Sequence, residues 1–531
     1  MHSLCPLPTT IVFFLQPTSE NEVINIFNLL KKNSEGPDGL KPQVLRVVNN
    51  VIACPLVHVI NLSFSQGIVP TELKIARVCP IHKSGDNKLI QNYRPISVLS
   101  AFSKIFEKLV FNRLNQFLEK FKIITNSQFG FRSGYSTSLA ISLLYEKITK
   151  AIEDKDHFVG IFLDLSKAFD TVNHEILVSK LNHYGIRGIA NMWLHDYLSN
   201  RKQFVDFCGT QSKVEEINCG VPQGSVLGPL LFLIYINDLP LVSELLNTII
   251  FADDTNLFIT HEDIDVLQTT ANEELVKVSE WLKVNKLSLN IKKSHAILFG
   301  KRAYNPESFS LFIDKTKINI VNETKFLGIC IDKNLNWSNH IKLIACKIAK
   351  GIGIINKIKY KVNKSTLIKL YYSFIYPFLI YGNIIWGNAA KQHLNSIHIL
   401  QKRVVRIICQ AGYREHTESL FTELKILNIY HLHIYCVSLF MFKYDKGLLP
   451  ESLNYLFSKK SGEARYPTRC NPTYTLPFCR TDVRKNSLFY IGASLFNSFV
   501  ELCIEYSFEI SSFSFFKIKL KKFIIDEKLC L

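Results

Sequence analysis

The chain has 531 residues, 47% hydrophobic and 20% charged. This make-up excludes general disorder, and the length exceeds one ordinary core, so roughly two to four domains are expected. Lysine and arginine number 63 against 45 aspartates and glutamates, a formal net charge of +18, which favours an anionic partner, nucleic acid first and a membrane surface second.

In chain order, Val23, Ile26, Phe27 and Leu30 have helical spacing, and the run ends in a turn at Gly36, Pro37, Asp38 and Gly39. Gln43 to Ser65 again reads as helix, Ile75 to Ile81 as a short strand, and Lys83 to Asn92 as a polar loop. Ala101 to Phe121 is an amphipathic helix. Phe158 to Leu163, a short apolar run, suits a buried strand. Asn173 to Tyr184 is helical, with Asp170 or Asn173 as its cap. Gly220 to Asp238 opens as a Gly/Pro-rich loop and continues as an apolar helix. Ile249 to Ile259 has the pattern of a β-hairpin around an acidic turn. Asp263 to Val284 is helical, and Lys325 to Asp332 is a strand or hairpin.

From Trp337 to Ile407 the chain carries Lys342, Lys347, Lys350, Lys357, Lys359, Lys361, Lys364, Lys369, Lys391, Lys402, Arg403 and Arg406 without one Asp or Glu. Such a run, helical throughout, favours a phosphate backbone over a merely solvated face. Within it, Leu370 to Trp386 is apolar but is interrupted by Pro377 and Gly382. It reads as a buried helix broken near Pro377 rather than a membrane span. Lys459 to Lys485 reads as a surface loop or linker. The 13 cysteines include no C-x-x-C pair, which argues against a disulfide framework or zinc knuckle. The N-terminus lacks the basic region of a signal peptide.

The chemistry concentrates in three segments. In FLDLSKAFD (162–170) a strand ends at Asp164, and in FADD (251–254) two carboxylates sit on a turn between apolar arms. Paired carboxylates in an apolar setting repel each other and resist ionisation, and a divalent cation relieves both effects. If the turns are neighbours, Asp164 and Asp253 can share two Mg²⁺ ions about 3.5–4 Å apart. GVPQGSVLGPLLF (220–232) lies between them. Its glycines allow close approach of a ligand, its helix start favours phosphate, and Gln223 can bond a base or sugar. Taken alone, each segment is also an ordinary turn or cap.

In this order the chain also carries GPDGL (36–40), NYRPISVLSAFSKIFEKLV (92–110), QFGFRSGYST (128–137), NKLSLNIKKSHAILFG (285–300) and KFLGICID (325–332). With the three segments above, eight motifs resemble, in sequence and in order, the reverse transcriptases of non-LTR retrotransposons, nearest to the jockey, CR1 and I-like groups. The resemblance spans about residues 36–332. It implies an α+β right-hand polymerase of fingers, palm and thumb with a helical C-terminal region. Its palm would be a small antiparallel sheet backed by helices. The expected divisions are an N-terminal extension (1–19), fingers (20–154), palm (155–332, with the reverse transcriptase domain from about 75), a basic thumb (333–414) and a C-terminal region of unknown role (415–531).

The resemblance further implies that Asp164, Asp253 and Asp254 are catalytic and hold two Mg²⁺ ions (or Mn²⁺), with the Leu165 carbonyl as a further metal ligand. Phe169 would lie under the incoming sugar and exclude a 2′-hydroxyl. Arg94, Lys83, Gln223 and Gly224 would contact the nucleotide, Lys292 or Lys293 the pyrophosphate, and Phe326, Leu327 and Gly328 would form the primer grip. The expected partners are an RNA template, a DNA primer or target and deoxynucleoside triphosphates, in nucleus or cytoplasm and with no membrane. Family members carry an upstream endonuclease, which this chain is expected to lack. The competing expectation is a truncated remnant that binds nucleic acid without polymerising.

Overall fold

The computed structural model describes residues 11–30, 35–300, 309–459, 473–505 and 512–526. Much of the loop expected at Lys459 to Lys485 therefore lies outside the described residues, as does about half of the 1–19 extension.

The fold is α+β and is organised around one six-stranded sheet. Its strands run in the order Leu311–Ile313, Thr316–Ile320, His295–Phe299, His157–Leu163, Asp254–His261, Asn247–Phe251. His157–Leu163 is central and antiparallel to both neighbours, and every one of its residues is buried. Successive side chains of a strand point to opposite faces, and here each face has its own core. Val159, Ile161 and Leu163 pack with the helices Ala101–Lys120, Gly228–Tyr235 and Ile264–Val284. Phe158 and Phe162 pack instead with the helix Thr137–Asp154 and with residues of the basic region such as Ile344 and Trp386. Burial on both faces is why the run is apolar without alternation. The sheet is not wholly antiparallel as expected: Thr316–Ile320 joins His295–Phe299 in parallel.

A second sheet carries the hairpin Ile75–His82 and Tyr93–Val98, with Arg201–Phe207 parallel to the first of these strands. The expected helix from Gln43 to Ser65 is two helices, Pro42–Val47 and Asn49–Gln66, parted at Val48. The basic region folds into Ser338–Ile358, Lys364–Phe374, Tyr376–Ile380, Asn383–Trp386 and Lys391–Cys409. The break comes at Ile375, one helix ending there and the next starting with Pro377 in its first turn, where proline's missing N–H costs nothing. Among the described residues no helix is long and apolar enough to cross a membrane. Nine of the basic side chains, from Lys342 to Arg403, are exposed. The run has no acid of its own, yet the fold brings Glu423 to Lys364 as an ion pair.

The far end of the chain returns to the sheet. Arg484 forms a buried ion pair with Glu146 (2.7 Å). Glu153 accepts hydrogen bonds from the Thr481 N–H (2.9 Å) and hydroxyl (2.6 Å). Both acids lie on the helix Thr137–Asp154 that backs the sheet.

Candidate active site

Asp164 leaves the central strand one residue after Leu163, which pairs with Thr255. Continuing that register sets Asp164 opposite Asp254, at the mouth of the hairpin whose turn is Ala252-Asp253. The backbone at Asp164 is fixed from the other side. Its N–H donates to the Ser294 hydroxyl (3.1 Å), its carbonyl accepts from the Asn290 N–H (2.8 Å), and Leu165 bridges to Leu289. Lys292 and Lys293 lie on the exposed turn between Asn290 and Ser294, beside the aspartate.

Asp253 and Asp254 both feel the Asp164 charge. Desolvation pushes Asp253 above the ordinary aspartate range, and the Asp164 charge adds to the effect, while Arg94 and Lys83 oppose it. Asp254 is exposed along one side, yet desolvation, followed by the charges of Asp253 and Asp164, raises it to about 6, with Lys83 opposing. Clustered acids that hold protons this tightly suit a divalent cation with oxygen ligands. Among the described residues no group of three or more His, Cys, Asp or Glu side chains forms a metal cage by itself. The donors at this site are all carboxylate or carbonyl oxygens, the chemistry that an ion of the Mg²⁺ type takes together with waters and substrate phosphate oxygens.

The charges of Arg94 and Lys83 act on the aspartates from the hairpin of the second sheet. Arg94 pairs with Ile81, and the Lys83 N–H donates to the Asn92 carbonyl two positions on. Paired residues share a face, so both cations project from the same side. Both are exposed.

The Gly/Pro loop is stitched between these parts. Val221 N–H donates to the Phe169 carbonyl (2.8 Å), Gly220 N–H to the Val172 carbonyl (2.7 Å), and Ser97 N–H to the Gln223 carbonyl (2.7 Å). A side chain at Gly220 (φ 87°) would put its Cβ 2.6 Å from the Asp170 carbonyl oxygen, and one at Gly224 (φ 118°) 2.6 Å from that of Ser97. The glycines thus serve close backbone packing. The Gln223 side chain donates to the Asp170 carboxylate (2.8 Å). Asp170 is spent on this bond, and the cap of helix His174–His183 is Asn173. Phe169 stacks on Phe232 with ring centroids 4.3 Å apart and meets the exposed ring of Phe131 edge-on at 6.4 Å.

Phe326, Leu327 and Gly328 form the end of the hairpin Glu323–Phe326 and Ile329–Asp332. The turn residues Leu327 (φ 45°) and Gly328 (φ 87°) are both left-handed, as a two-residue hairpin of this kind requires. Tyr381 of the basic region donates its hydroxyl to the Leu327 carbonyl. Phe326 packs edge-on against Phe162 of the central strand (5.3 Å). The hairpin therefore spans from the sheet to the basic helices.

Two residues near the site had no role in the sequence reading. Gln128 is 1% exposed and its amide oxygen accepts from the Ala252 N–H (3.0 Å). Glu107 is fully buried, accepts from the Val226 N–H and from the Tyr197 hydroxyl (3.0 Å), and is pushed up by burial against the pull of Arg201. The available signal was a polar residue amid apolar neighbours, Glu107 in KIFEKLV above all.

Residues 81–331 match the family model described as reverse transcriptase (RNA-dependent DNA polymerase). The chain is 29% identical over 435 residues to the probable RNA-directed DNA polymerase from transposon BS of Drosophila melanogaster, covering 78% of this chain and 47% of the relative. It is 30% identical over 427 residues to the RNA-directed DNA polymerase from mobile element jockey of the same organism, covering 78% and 46%. To the probable RNA-directed DNA polymerase from transposon X-element it is 30% identical over 382 residues, covering 68% and 40%. The chain thus spans less than half the length of these relatives. The matched span holds all three aspartates together with Lys83 and Arg94, so residues 81–331 are a reverse transcriptase domain, and the chain around it is similar to the RNA-directed DNA polymerases of non-LTR mobile elements.

Proposed function

We propose that this chain extends a DNA primer on an RNA template by phosphoryl transfer. The observation that carries the reading is the register that sets Asp164 beside the Asp253–Asp254 turn at one end of the inner strands, with Arg94 and Lys83 opposing the raised Asp253 carboxyl. Asp164 and Asp253 would hold two Mg²⁺ ions (or Mn²⁺), with Asp254 and the Leu165 carbonyl at the margin. When bound, the metal lowers the pKa of the primer 3′-hydroxyl and stabilises the departing pyrophosphate.

The chain's own groups bind and orient. Arg94 and Lys83 hold the triphosphate from the finger side, and Lys292 or Lys293 meets the pyrophosphate as it leaves. The primer 3′-oxygen attacks the α-phosphorus, the bond to pyrophosphate breaks, and the hydroxyl proton passes to solvent. Phe169, braced by Phe232, forms the wall against which a 2′-hydroxyl would clash. Gln223 and Gly224 shape the floor through the backbone bond to Ser97. The Phe326–Gly328 hairpin holds the primer end, and the lysines of 333–414 follow the duplex backbone without reading sequence. On this reading residues 20–154 act as fingers and 155–332 as palm.

The test is incorporation of labelled deoxynucleotides on an RNA template with a DNA primer and Mg²⁺, beside Asp253→Ala. Extension by the wild type and none by the variant supports the reading. A folded protein that binds RNA and never extends would turn it to a binding remnant.

A further inference from the structure

The turn that carries Asp253 is held by a side chain with no acid–base chemistry of its own. Ser127 to Gly130 runs along the edge of strand Asn247–Phe251: the Ile250 N–H donates to the Ser127 carbonyl (2.9 Å), and the Phe129 N–H to the Ile250 carbonyl (2.7 Å). From that added strand the Gln128 amide oxygen accepts from two backbone donors, Gly130 N–H at 2.7 Å and Ala252 N–H at 3.0 Å. Two converging N–H donors fix which end of the amide faces them, since the flipped form would oppose donor to donor. Gly130 closes the packing: a Cβ there would lie 2.4 Å from the Ala252 nitrogen.

Ala252 needs to be held. It has φ 58°, a conformation that costs a residue with a Cβ and persists only where its surroundings enforce it. Asp253 is the next residue, so the peptide that Gln128 grips sets the direction of its carboxylate. The position also discriminates among side chains. Asparagine is one carbon too short, methionine offers no comparable acceptor, and glutamate would add a charge to the three already coupled there.

We propose that Gln128 is a positioning residue for polymerisation: its amide oxygen locks the Ala252 peptide and so aims Asp253. This inference rests on the polymerase reading above. The test is Gln128→Met in the full chain, with primer extension and hydrogen exchange across Ile249 to Thr255 measured on the same preparations. A misaimed carboxylate should lower kcat about 10- to 100-fold while KM for the deoxynucleotide stays within about twofold. The Mg²⁺ concentration for half-maximal rate should rise, and the turn amides should exchange faster. Unchanged kcat with unchanged exchange overturns the inference and leaves the polymerase reading standing. If the wild type itself fails to extend, the polymerase reading falls, and exchange alone decides whether Gln128 holds the turn. Gln128→Asn gives the same comparison where Gln128→Met melts below the assay temperature. Adding Ala252→Gly, which removes the cost of positive φ, should restore part of the lost rate.

Discussion

Replacing Arg484 with methionine removes one partner of a buried ion pair and leaves the other in place. The Glu146 side chain is 2% exposed and that of Arg484 9%. The Arg484 guanidinium donates to the Glu146 carboxylate at 2.7 Å and to the Thr149 hydroxyl at 2.8 Å, and the second carboxylate oxygen accepts from the Phe489 N–H at 3.1 Å. Methionine fills much of the volume, so the loss is electrostatic before it is steric. Stranding a buried carboxylate in this way costs about 3–5 kcal/mol. The cost carries a pH signature. Burial already raises the Glu146 carboxyl above its ordinary range, with Arg484 opposing, so the variant raises it further. A carboxyl raised in the folded state contributes stability that is fully present below the unfolded pKa, about 4.3, and is lost as pH rises through the folded value. Urea unfolding should therefore show a larger deficit for Arg484→Met at pH 8 than at pH 5, and Glu146→Gln added to it should recover part of the loss. A deficit below about 1 kcal/mol at pH 8, or one that does not vary with pH, would refute the reasoning.

Two further outcomes follow from the site. Gly220→Ala sets a Cβ 2.6 Å from the Asp170 carbonyl at a φ of 87°; a loss of about 1–3 kcal/mol is expected, with a raised KM for the deoxynucleotide, read by urea unfolding and steady-state extension. Asp254, raised to about 6 by desolvation and by Asp253 and Asp164, stabilises the metal-free fold below about pH 4 and loses that contribution as pH rises through about 6. In EDTA, Asp254→Asn should thus raise the melting temperature at pH 7.5 and not at pH 4; an equal effect at both would count against the coupling of the three carboxylates.

The parts of the fold that could be read from the sequence are those with a local cause. The strands around Asp164 and Asp253 are short apolar runs because both faces of the sheet are covered, and the acidic turn between apolar arms carries the local pattern of a hairpin. Strand Tyr93–Val98 escaped notice because Pro95 sits in it; it lies at the edge of its sheet, where proline is tolerated. Helix Thr137–Asp154 is not among the elements expected from the sequence, although Ser136 caps it and twelve of its residues are buried. The asparagine cap at Asn173 was legible only as one of two choices, because nothing local shows that Gln223 has claimed Asp170. The contacts that hold the site together are long-range. Gln128 and Ala252 lie 124 residues apart, and Glu107 and Val226 lie 119 apart, distances at which no periodicity links one residue to the other.

The clasp at Glu146 also sets an order in time. Arg484 is 338 residues downstream of its partner, so at ribosomal speeds of about 5–20 residues per second roughly 20–70 s separate their synthesis. Through that interval the helix under the catalytic sheet has a carboxylate facing an unfilled gap, and the sheet's second face waits for the helices that cover it. The aspartates are made early, but the ground beneath them is finished last. On the proposed function, a nascent chain would carry all three aspartates well before it has the support beneath them, which would tie the onset of activity to completion of the distal helices.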